Sequence, residues 1–134
     1  MSNLTITAQD EITIRTAAWG AVSLMSAAGI AGSAHRIGTD AGLALAAATG
    51  TVGHVVATAK GTRFNGKSTA ELADQVFPAI TASVKLLEEQ DPAEAANFRS
   101  VIGTVIAAAD RAHRGGPSPV MAEMARKINE ALDA

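Results

Sequence analysis

The chain contains no cysteine. That excludes disulfides and thiolate-bound metals, and it makes a reducing, cytoplasmic compartment the default expectation. Tyrosine is also missing, and one tryptophan and three phenylalanines are all the aromatic residues in 134 positions. A platform for stacking bases is therefore not expected. A formal charge of −2 supplies no basic field for nucleic acid or anionic lipid. The opening stretch, MSNLTITAQDE, carries Asp10 and Glu11 where a secretory leader needs Lys or Arg, so export is not expected.

Charge is the scarcest thing in one half of the chain. Between Thr16 and Ala59 only Arg36 and Asp40 are charged, whereas residues 60–134 carry nineteen charged side chains. The two uncharged runs, 16–35 and 41–59, are long enough to raise a membrane hairpin. Their composition argues against it: residues 17–34 are mostly Ala, Gly and Ser, with only Val22, Leu24 and Ile30 among the residues that favour insertion. The expected alternative is a deeply buried helical hairpin, or one covered by a second subunit.

What is present reads as helix. Thr7-Ala-Gln-Asp10 resembles a capping box and opens a helix near Ala8. Ile14, Ala18, Ala21, Val22, Met25 and Ala28 then follow helical spacing, with a stop at residues 29–32. Trp19 belongs to the core or an interface. From Ser33 a second segment carries small residues four apart: Ala34, Gly38, Gly42, Ala46 and Gly50. Such a stripe lets another backbone come close; each glycine costs about 1 kcal/mol relative to alanine, so either packing offsets that or the helix is interrupted.

In residues 51–59, TVGHVVATA, the spacing of Val52, Val55, Val56 and Ala59 predicts a helix, although the β-branched content also fits a short strand. Ser68-Thr-Ala-Glu71 caps a helix running through Leu72, Val76, Ile80, Val84 and Leu87, which Pro78 should kink or split. Asp91-Pro92-Ala-Glu94 is the clearest helix start; Phe98, Val101, Ile102, Val105, Ala109 and Ala112 follow it. Ser118-Pro119 opens a last helix with Met121, Met124, Ala125, Ile128 and Leu132 inward. The expected fold is all-α: residues 1–134 form a single compact bundle of five or six antiparallel helices.

One motif argues for chemistry. Residues 61–68 match the phosphate-loop pattern, with Gly61, Gly66, Lys67 and Ser68 in register. In a working loop the backbone N–H groups cradle phosphate, the lysine reaches the β/γ oxygens and the serine ligates magnesium. Such a loop also needs a preceding strand in a parallel sheet and a metal-holding acid on a neighbouring strand. Asp110 is the best acid, but it continues a helical pattern, and no further strands are available. The plainer expectation is a loop followed by a helix cap.

The histidines, His35, His54 and His113, show no i, i+3 or i, i+4 pairing that would suit zinc. His113 is expected to serve its helix end and His54 a partly buried position. Glu88, Glu89, Asp91 and Glu94 read as a solvated, capping cluster, and no catalytic triad can be assembled by spacing.

The stretches ITAQDEITIRTAAWGAVSLMS and FRSVIGTVIAAADRAHRGGPSPVMAEMARKINEAL resemble a group of small Ala-rich helical proteins common in actinobacteria. The resemblance spans about half the chain and implies a helical fold, and that group supplies no catalytic residues to carry over. There is also a fainter likeness to TerB-like helical domains, in which an Ala-Asp-Gly turn precedes a helix. Here Arg111, not Gly, follows Asp110, and the acidic metal-binding pattern is missing.

The functional expectation is a non-enzymatic binding protein without cofactor or metal. It self-associates, as a homodimer, through helices over 8–30 and 33–59, with Trp19, Val22, Met25, Gly38, Gly42 and Ala46 at the interface. The alternatives are a nucleotide binder using Gly61, Gly66, Lys67 and Ser68, and a carrier of a small apolar ligand between loosely packed helices.

Overall fold

A computed structural model describes residues 5–29, 34–57, 68–113 and 118–134, with the backbone alone for Ala34 and His35. All regular structure among these residues is helical. In order come α1 (Ala8–Ala28), α2 (Ala34–Ala46), α3 (Gly50–Val56), α4 (Thr69–Gln90), α5 (Pro92–Ala112) and α6 (Pro119–Asp133). No helix among the described residues is long and apolar enough to cross a membrane.

The helix starts follow local chemistry. At α1 the Thr7 hydroxyl accepts from the Asp10 amide at 3.0 Å, and the Asp10 carboxylate accepts from the Thr7 amide at 3.2 Å. This reciprocal box satisfies two N–H groups that the first turn leaves open. Ser68 accepts from the Glu71 amide at α4, and Ser118 from the Met121 amide at α6. Asp91 ends α4 and caps α5, accepting from the Ala93 amide, so one residue joins two long helices.

Pro78 lies inside α4 without splitting it. The ring removes one hydrogen bond, to the Asp74 carbonyl, and both residues are exposed, so water can serve the freed oxygen. The small-residue stripe, in contrast, does not make one long helix. α2 stops at Ala46, and Gly50 opens α3 with φ +77°, a left-handed conformation that suits glycine. The segment 50–56 is helix rather than strand, with Val52, Val55 and Val56 buried at the predicted spacing.

One apolar core draws residues from all six helices. α1 packs against each of the other five, and α5 also touches every other helix. α2 and α3 make no contact with α4 or α6 among the described residues. The result is a central pair, α1 and α5, with α2–α3 on one flank and α4–α6 on the other. This explains why α1 has no charge beyond Arg15: it is surrounded, and a buried unpaired charge would cost several kcal/mol. Ile14, Ala17, Ala18, Ala21, Leu24 and Met25 are fully buried. At Gly20 the approach to α4 is so close that an added Cβ would run into both γ-methyls of Val76.

Candidate binding surfaces

Gly61, Gly66 and Lys67 lie outside the described residues. Ser68, the last residue of the motif, spends its hydroxyl on the α4 cap. The segment that would have to be the strand leading into a phosphate loop is α3, and Asp110 lies within helix α5.

α3 is the most dependent element of the fold. Seven residues are too few for a helix to stand alone in water, and its own cap residue, Thr49, makes no side-chain cap bond. The missing caps come from distant helices. At the N-terminal end, the Glu94 carboxylate of α5 accepts from the Val52 amide at 3.0 Å, and Asn97 donates to the Thr49 carbonyl at 2.8 Å. A side chain at Gly50 would collide with both, since an added Cβ would lie 2.9 Å from the Asn97 nitrogen. At the C-terminal end, Arg15 donates to the Val55 carbonyl at 2.8 Å and the Trp19 indole to the Val56 carbonyl at 3.1 Å. An anion thus sits at the positive end of the helix and a cation at the negative end, both favourable to its dipole.

These bonds give Trp19 a structural role, half-buried between α1 and α3. Glu94, expected only to favour its own helix start, also holds α3. Glu88 pairs with Arg99 at 3.5 Å, and Arg99 also reaches Asp133 at 2.7 Å, which ties the α4–α5 turn to α6.

The histidines are scattered. His113 is buried at the end of α5. His54 is exposed, contrary to the partly buried position expected for it, because Val52, Val55 and Val56 take the inward face of α3. The side chain of His35 is not among those described. No group of three or more His, Asp or Glu side chains among the described residues could hold a metal. Near His113, Asp110 has a buried Oδ1 with no hydrogen-bond partner among the described residues. Burial raises its carboxyl above the ordinary range, and the neighbouring His113 charge opposes the rise.

The residues expected at an interface divide sharply. Met25 is fully buried and Val22 is 7 % exposed, so the chain's own core covers both and neither is offered to a partner. The reason is the central place of α1, which patterning alone did not give. Gly38 and Gly42 face α1: an added Cβ would meet the Ser26 hydroxyl at 2.8 Å in one case and the Trp19 ring at 3.6 Å in the other. Of the six, Ala46 alone is exposed.

The outward face of α2 holds a residue that the stripe obscured. Ile37, Ala41 and Leu45 point inward at a stride of four, and Leu43 stands out of phase with them, 65 % exposed. Arg36, Thr39, Ala46, Ala47, Thr49, Gly50, His54 and Ala57 are the other exposed residues over α2 and α3. From Ala41 to Ala57 this flank carries no Asp, Glu, Lys or Arg. Its one ion pair among the described residues, Arg36–Asp40 at 4.0 Å, lies in the first half of α2.

Comparison with protein-family models, curated proteins and solved structures finds no match.

Proposed function

We propose that this chain is a non-enzymatic binding protein that self-associates through its uncharged N-terminal half, with the outward face of α2 and α3 as the contact. The single observation that carries this reading is Leu43, 65 % exposed on a flank whose residues 41–57 carry no charge. A second copy of that surface has only the mutually paired Arg36 and Asp40 to accommodate, and the surrounding Ala46, Ala47 and Gly50 allow close backbone approach. The short connections between most helices support an antiparallel bundle in one domain. The cysteine-free composition supports a cytoplasmic setting. Kinship with the small Ala-rich helical proteins of actinobacteria belongs to the same proposal.

Sedimentation equilibrium tests it. The wild-type chain is expected to be dimeric at tens of micromolar, and Leu43→Glu to be monomeric with a melting temperature close to that of the wild-type monomer. A wild-type monomer at several hundred micromolar would overturn the reading.

A further inference from the structure

The uncharged flank holds a hollow as well as the exposed Leu43. Where the end of α2 lies against α5 there is a recess of about 200 Å³. Its walls include Ala44, Ala47 and Ala48 on one side and Ser100, Val101 and Thr104 of α5 on the other. The recess is smaller than the roughly 300–1,000 Å³ of small-molecule sites and is on the scale of one aliphatic side chain. Two of its polar groups are already spent within the chain: Asn97 donates to the Thr49 carbonyl at 2.8 Å, and the Thr104 hydroxyl to the Ser100 carbonyl at 3.0 Å. No lining residue is charged. An ionic occupant therefore finds no partner there, whereas an apolar one finds the alanines and Val101.

Leu43 stands beside this recess. The Ala47 amide donates to the Leu43 carbonyl at 3.1 Å, so Ala47 lies one helical turn beyond Leu43, and it is both exposed and part of the recess wall. Gly103 adds an independent observation. Every other glycine described within a helix has a neighbour within 4 Å of where its Cβ would be. At Gly103, exposed in α5 next to Thr104, an added Cβ would meet nothing. Glycine disfavours a helix relative to alanine, and the chain's own packing gains nothing from it here. A second chain passing close over α5 would gain from it.

We infer that Leu43 of each copy seats in the α2–α5 recess of a second copy. This rests on the self-association proposed above and names the surface that receives Leu43. One two-fold rotation fills both recesses at once, because side chain and recess belong to the same chain. A different protein would have to supply a matching side chain and a matching recess together. Residues 100–109 carry no charge, so the uncharged run 41–57 of one copy meets an uncharged stretch of α5 in the other. Gly103 lets the partner's α2 approach the α5 backbone closely.

Because the chain has no native cysteine, cross-linking tests this directly. Leu43→Cys and Thr104→Cys are prepared separately, mixed at tens of micromolar and treated with a short bis-maleimide. The mixed pair keeps one native Leu43 and one native recess. It is expected to link about tenfold faster than Leu43→Cys mixed with Ala122→Cys on α6, the advantage of a docked pair over random collision. Leu43, Thr104 and Ala122 are all exposed, so the comparison is between equally accessible positions. Gly103→Lys meets no clash within its own chain. It is expected to weaken self-association about tenfold in sedimentation equilibrium without lowering the melting temperature of the monomer. Three results would overturn the inference and leave the proposed dimer standing, provided the wild-type chain is dimeric: linking no faster than the Ala122→Cys control, Leu43→Cys linking to itself faster than to Thr104→Cys, or normal association of Gly103→Lys. A wild-type monomer at several hundred micromolar would overturn both. The cross-linking comparison stands even if Gly103→Lys fails to fold.

Discussion

The two flanks of the central pair solve the same packing problem with different surfaces. α2 and α3 cover α1 and α5 with small residues and leave an outer face free of charge over seventeen positions, 41–57. α4 and α6 cover the other side with amphipathic helices whose outer faces carry Asp74, Lys85, Glu89, Arg126, Lys127 and Glu130. The charged flank is made of long helices, each started by its own serine cap. The uncharged flank includes a seven-residue helix that borrows its caps from α1 and α5. Low charge on the N-terminal half therefore has two causes, burial for α1 and an uncharged exposed surface for α2 and α3.

Three substitutions test how separate the flanks are. The largest effect is expected at Phe98, fully buried in α5, which touches every other helix. Phe98→Ala should cost about 3–5 kcal/mol and lower both flanks together in one urea transition. Two separate transitions would mean that α1 and α5 do not couple them.

A smaller and more local effect is expected at Glu94. Glu94→Ala leaves the buried Val52 amide without its acceptor and should cost about 1–2 kcal/mol. Hydrogen exchange should accelerate at Val52 and Gly53 while amides in α4 and α6 keep their protection. Uniform acceleration in all helices would merge the two flanks into one unit.

The smallest effect is expected at Asp110. Its folded carboxyl is raised, so the folded state holds a proton more readily than the unfolded chain. Stability consequently falls as pH climbs from the ordinary carboxyl value of 3.8 through the raised one, and the loss persists above it. Asp110→Asn should raise the melting temperature at pH 7 and leave it unchanged near pH 3. A lower melting temperature at pH 7 would show that the ionised carboxylate is stabilising instead.

The helices were legible in the sequence wherever their cause was local. Thr7, Ser68, Asp91 and Ser118 each act within three residues, and the apolar periodicity of α1, α5 and α6 named their buried faces. Long-range causes were hidden. Arg15 reaches Val55 and Glu94 reaches Val52 across 40 and 42 residues, and no spacing rule connects them. The central position of α1 was hidden for the same reason, so Val22 and Met25 looked like surface to be covered by a partner. Leu43 had a signal that could have been read, its phase opposite to Ala41 and Leu45.

The borrowed caps of α3 also set an order of events in folding. A helix this short gains its first turn only when Glu94 and Arg15 are already in place, and those side chains belong to two different helices. α3 is therefore expected to form after α1 and α5 have docked, late on the route to the native state. Substitutions within it should speed unfolding and hardly change the folding rate. By the same logic α3 is the first helix to let go when the central pair loosens, so its amides report on whether the fold is fully assembled.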